Sequence, residues 1–141
     1  MSKAKLIIDE YITPFASKSF YVAAKPTAEQ LNSMFYKLID NEQKPLIDSD
    51  AELQAYDACT ILGAYRKSDD TSHVVIAYDH SHGEADLVNT VAHESVHATK
   101  AILESSDIEL SDDTEECYAY HVGYTAECMW RTINKLNNEP K

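Results

Sequence analysis

The sequence predicts an α+β domain in which a small antiparallel sheet packs against two long helices. Three observations carry this. The run His73–Tyr78 is rich in β-branched and aromatic residues and follows the polar stretch Lys67–Ser72, as a strand follows a turn. Glu84 to about Leu103 and Glu115 to about Leu136 contain no proline and place apolar residues at helical spacing, as two amphipathic helices do. The chain has 141 residues, three glycines and neither a repeat nor a linker-like tract, so residues 1–141 fit one domain with its own core.

From the N-terminus, Met1 to Ile12 holds a short apolar run broken by Asp9 and Glu10, which does not read as a secretory signal. After Pro26, Thr27-Ala28-Glu29-Gln30 has the form of a capping box, and a helix over about Ala28 to Ile39 follows, with Leu31, Met34, Phe35 and Leu38 toward the core. Ser49 to Glu52 repeats the pattern and opens a short helix. Tyr56 to Tyr65 suits either helix or strand, its second half favouring strand. Ser81 and Glu84 form another capping-box pair, opening the helix that carries Leu87, Val88, Val91, Ala92 and Ala98. The polar loop Ser105 to Asp113 leads to the last helix, for which Asp112 or Asp113 can serve as N-cap.

The net charge of −12 and a pI near 4.7 oppose binding to nucleic acid or anionic membranes, both of which need basic patches, and suit a cationic substrate. Cys59, Cys117 and Cys128 are odd in number and lack CxxC spacing, so they read as small buried hydrophobes in a reducing compartment. No segment approaches the ~20 apolar residues of a membrane span. The expectation is a cytoplasmic protein; the oligomeric state stays open.

The chemistry lies in Val91-Ala92-His93-Glu94-Ser95-Val96-His97-Ala98, an HExxH motif inside the first long helix. Residues four apart share a helix face, so two imidazoles can reach one metal ion while Glu94 reaches a water beside it. Zinc suits such a site, accepting neutral imidazole and leaving a position open for water or substrate. With this composition a chance HExxH is expected in about two of a hundred such chains. Its mid-helix position, the apolar residues before it and the strand upstream strengthen it.

In these residues the sequence resembles the zincin metallopeptidases, specifically the gluzincin branch, and the small stand-alone HExxH proteins of bacteria and phages, including the ImmA/IrrE-like peptidases. The resemblance covers about Leu87 to Tyr124. It implies a zincin-like minimal catalytic domain holding Zn2+ through His93, His97 and a glutamate on the second long helix. Glu116 matches, eighteen residues beyond His97. The neighbouring Glu115 stays open as the alternative, since adjacent helical residues point about 100° apart. By the same resemblance, His73–Tyr78 forms a sheet edge to which an extended peptide substrate pairs.

Tyr120, His121 and Tyr124, near Glu116, are candidates for steadying an oxyanion, with aromatic packing the alternative for each. His80 and His82 flank Ser81 just before the motif helix, where they can touch substrate or offer metal ligands. The sequence thus points to a zinc-dependent hydrolase, a peptidase acting on a peptide or protein with Glu94 as base. Its competitor is a catalytically silent binding or regulatory protein of the same fold.

Overall fold

The computed structural model describes residues 5–15 and 18–138. Among them the chain forms six strands and four α-helices: β1 Ile7–Ile12, β2 Ser19–Ala24, α1 Ala28–Met34, β3 Phe35–Ile39, β4 Glu42–Pro45, α2 Asp50–Gln54, β5 Ala58–Arg66, β6 Ser72–Tyr78, α3 Glu84–Glu104 and α4 Glu115–Asn134, with a 3-10 turn at Lys135–Asn137. The α+β class stands. The strands make one sheet in the order β1-β2-β6-β5-β3-β4. β2 and β6 run parallel and the other neighbours antiparallel, so the sheet is mixed and larger than the antiparallel sheet expected.

Two cores form because side chains alternate across the strands. Tyr21, Ala23, Val75 and Ala77 face one side with Leu31 of α1 and Leu53 of α2. Phe20, Val22, Ile76 and Tyr78 face the other with Val91, Ala98 and Ile102 of α3 and Met129 and Ile133 of α4. Phe20–Ala24 is buried throughout, and a strand covered on both faces reads as an unbroken apolar run. β6 lies between β2 and β5. His73–Tyr78 is therefore an inner strand and not the sheet edge expected of it.

The Thr27–Gln30 capping box forms with both bonds in place. The helix it opens ends at Met34 instead of Ile39. Phe35 turns extended at φ −134° and starts a hairpin with β4, whose two connecting residues, Asp40 and Asn41, both take positive φ (53° and 65°) as a two-residue hairpin turn needs. The other caps also differ. Gly83, at φ 121°, caps α3, and Ser81 instead pairs with the Tyr78 hydroxyl at 2.9 Å. Thr114, not Asp112 or Asp113, caps α4, its hydroxyl accepting from the Ser111 amide at 2.8 Å. Cys128 is buried and Cys59 and Cys117 are half-buried, all as free thiols. No helix among the described residues is long and apolar enough to cross a membrane.

Candidate metal centre

Helix α3 lies over β5 and β6, with α4 beside it over β2 and β1. Its buried stripe, Val91, Ser95, Ala98 and Ile102, fixes the rotation of the helix about its axis. Thr99 faces α4, its hydroxyl 2.9 Å from His121 Nδ1. At about 100° per residue, His93 and His97 lie roughly 120° and 160° around α3 from Thr99. They emerge on the exposed flank away from α4, with their Nε2 atoms 3.2 Å apart. Two imidazole nitrogens on one tetrahedral zinc ion stand about 3.3 Å apart, so this pair is already at ligand spacing.

Glu94, one residue on, turns inward and is 5 % exposed. Its Oε2 is buried and has no hydrogen-bond partner among the described residues. Burial raises its pKa, while the neighbouring His93 and His97 act in the opposite direction; the Thr60 hydroxyl donates to the Glu94 backbone carbonyl at 3.4 Å, not to the carboxylate. A carboxylate left unpaired in a dry setting holds a proton readily, which suits a base that must accept one.

The three motif residues line a cleft of about 460 Å³ whose opposite wall is the stretch Tyr56 to Leu62. Ala58, Cys59 and Thr60 all line it, although successive strand residues face opposite sides of a sheet. Consecutive lining residues mean the cleft runs along the edge of the strand. The pairing agrees: β3 meets β5 only at Phe35↔Arg66 and Tyr36↔Tyr65, so among the described residues Ala58–Leu62 has a paired strand only on its β6 side. A register shift between Ile61 and Ala64, with Gly63 at φ 66°, forms a bulge that sets exposed Leu62 at the cleft. Bulges of this kind re-aim side chains beside functional sites. Lys100 and Glu104 continue the α3 wall and pair with each other at 3.1 Å.

Helix α4 docks on the other flank of α3, so its residues do not join this cleft. Glu116 and Glu115 are exposed in the first turn of α4, where their charge complements the helix dipole, and neither lines the cleft. Among the described residues no third carboxylate, thiol or imidazole completes a ligand set with His93 and His97. Glu104 shares their face, but its Cα is about 10 Å farther along the axis than that of His97. The oxyanion candidates also lie elsewhere. Tyr120 is exposed on α4. His121 is fully buried, its Nδ1 between the hydroxyls of Thr99 and Thr125 and its Nε2 without a partner. The Tyr124 hydroxyl donates to the Ile12 carbonyl at 2.8 Å.

His80 and His82 gather at the opposite end of α3 with a residue the sequence reading did not single out. Asp57, immediately before β5, meets His80 Nε2 at 3.0 Å, and ligand atoms of Asp57, His80 and His82 all lie within 4.8 Å of one another. Asp57 is separated from these histidines by more than twenty residues, and only the β5–β6 pairing brings them together. The residues thus fit a metal ion in two places, as a two-nitrogen pair at the HExxH motif and as a three-residue group at the start of α3. Compared with family models, with curated proteins and with solved structures, the chain finds no match.

Proposed function

We propose that the protein is a metal-dependent peptidase of zincin type, acting on an extended peptide laid along the open edge of β5. One observation carries the reading: a buried, unpartnered Glu94 carboxylate oxygen sits beside two imidazoles at ligand spacing in a cleft walled by an unpaired strand edge. His93 and His97 would hold the ion, which when bound supplies Lewis acidity and a water of lowered pKa. The edge amides and carbonyls of Ala58–Leu62 hold the peptide backbone by strand addition. Glu94 takes the proton of the attacking water and passes it to the leaving amine. Lys100, one turn beyond His97, replaces the α4 residues as the donor that steadies the carbonyl oxygen as it gains charge.

Two protein ligands hold zinc more weakly than the three usual in catalytic sites. The test therefore uses the full chain with added zinc against a broad peptide mixture. Cleavage is expected, and Glu94→Gln should lower it about 10²–10⁴-fold while leaving zinc binding intact. Equal turnover in Glu94→Gln sinks the assignment of the base. The second reading, a silent peptide-binding protein, is favoured by the position of Tyr120, His121 and Tyr124 outside the cleft. Zinc-independent peptide binding without cleavage would establish it.

A further inference from the structure

The start of α3 is a second, independent centre of polar chemistry. Asp57 closes β5 onto the end of β6, its carbonyl accepting from the amides of Asp79 and His80 at 2.8 and 3.2 Å. Its carboxylate faces His80 Nε2 through Oδ1 at 3.0 Å, and its Oδ2 receives the Thr90 hydroxyl of α3 at 3.4 Å. The other nitrogen of His80, Nδ1, is 2.7 Å from Asp79 Oδ2. The ring of His82 stands edge-on to that of His80 with centroids 5.2 Å apart, and its amide donates to Asp86 in the first turn of α3 at 2.7 Å.

Three features point the same way. Asp79, bonded to Nδ1, orients the His80 ring and leaves Nε2 aimed at the Asp57 oxygen, the carboxylate–histidine support that metal ligands generally have. Asp57, Asp79 and Asp86 together bring three carboxylates to the two imidazoles, and among the described residues no Lys or Arg pairs with any of them. The donor atoms lie within 4.8 Å of one another, with His80 Nε2 and Asp57 Oδ1 at 3.0 Å, against about 3.3 Å between two ligand atoms on a tetrahedral zinc ion.

We propose that Asp57, His80 and His82 form a second divalent-metal site, of the nitrogen–oxygen class that takes zinc, at the N-terminal end of α3. Thr90, which touches Asp57, lies about 4.5 Å from His93 and about 10 Å from His97 along the helix axis, so the middle of that pair is about 7.5 Å away, whereas paired catalytic ions stand ≈ 3.5–4 Å apart. The site is therefore separate from the HExxH pair and does not rest on the peptidase reading. Its ion ties the start of β5, the end of β6 and, through the His82–Asp86 bond, the first turn of α3. Of these, β5 and α3 wall the cleft, so the ion sets the angle at which α3 leaves the sheet.

The test is zinc titration of the full chain, stripped with chelator, in a His93→Ala/His97→Ala background. That variant should bind one zinc per chain and melt at a higher temperature with zinc than with chelator. Adding His82→Ala, at an exposed position, or Asp57→Asn, which preserves shape, should weaken that binding by about tenfold or more and abolish the zinc-dependent rise in melting temperature. Absence of zinc binding in the His93→Ala/His97→Ala chain, or binding that both added substitutions leave unchanged, overturns the proposal. The difference in stoichiometry between the wild-type and double-variant chains reports the HExxH pair separately.

Discussion

Two buried titratable side chains, Glu94 and His121, give the molecule opposite responses to pH. Burial raises the pKa of Glu94, so in the metal-free protein its charged form weakens the fold once pH rises past its unfolded value, and the penalty is complete above the folded one. Glu94→Gln should therefore be at least as stable as the wild type near neutral pH. His121 is the reverse. Burial lowers its pKa, so the unfolded chain takes up the proton first, and stability is full above about pH 6.5 and falls as pH drops through the folded value. Thermal melts of the Glu94→Gln chain from pH 7.5 to 5, in which the opposing carboxyl is absent, should show this loss, at most about 1.4 kcal/mol per pH unit from the one group. His121→Gln should flatten it. An unchanged slope in that variant would assign the acid sensitivity elsewhere.

At the scale of elements, the bulge in β5 links backbone conformation to the cleft. Gly63 has φ 66° and open space where a Cβ would stand, so Gly63→Ala meets no clash and costs only the left-handed conformation, about 1–2 kcal/mol. Urea unfolding should show that loss, and a neutral result would mean the bulge rearranges. The same strand marks where sequence reading succeeds and stops. The strand at His73–Tyr78, the helices from Glu84 and Glu115 and the Thr27 cap were legible because each rests on local periodicity or local hydrogen bonds. Periodicity predicts too long an α1 because Phe35 and Leu38 keep helical spacing while the Asp40–Asn41 turn, the signal for a hairpin, lies just beyond. β2 carries no such signal, because a strand buried on both faces shows no alternation. In the site, His93, Glu94 and His97 were legible as one motif on one helix. The β5 edge and Asp57 were not, since their nearness to α3 depends on pairings across the sheet. Glu116 lies outside the cleft for a related reason: spacing along the chain does not say on which flank of α3 the helix α4 will dock.

For the whole molecule, the parallel pairing of β2 with β6 has a kinetic consequence. The chain leaves β2 at Ala24 and reaches β6 at Ser72 across 47 intervening residues, whereas β5 and β6 are joined across only five. Closing the longer loop costs about 2 kcal/mol more in chain entropy. The β5–β6 hairpin with α3 should therefore form first, and the β1–β2 pair should dock after the rate-limiting step. Stopped-flow measurements can separate the two. Ile76→Ala, in β6, should slow refolding, while Val22→Ala, in β2, should mainly speed unfolding. Slower refolding in Val22→Ala, by as much as its loss of stability requires, would reverse the order. The cleft from Tyr56 to Glu104 is one unbroken stretch of chain. It takes shape in the early half of folding, and the N-terminal strands govern how long it then persists.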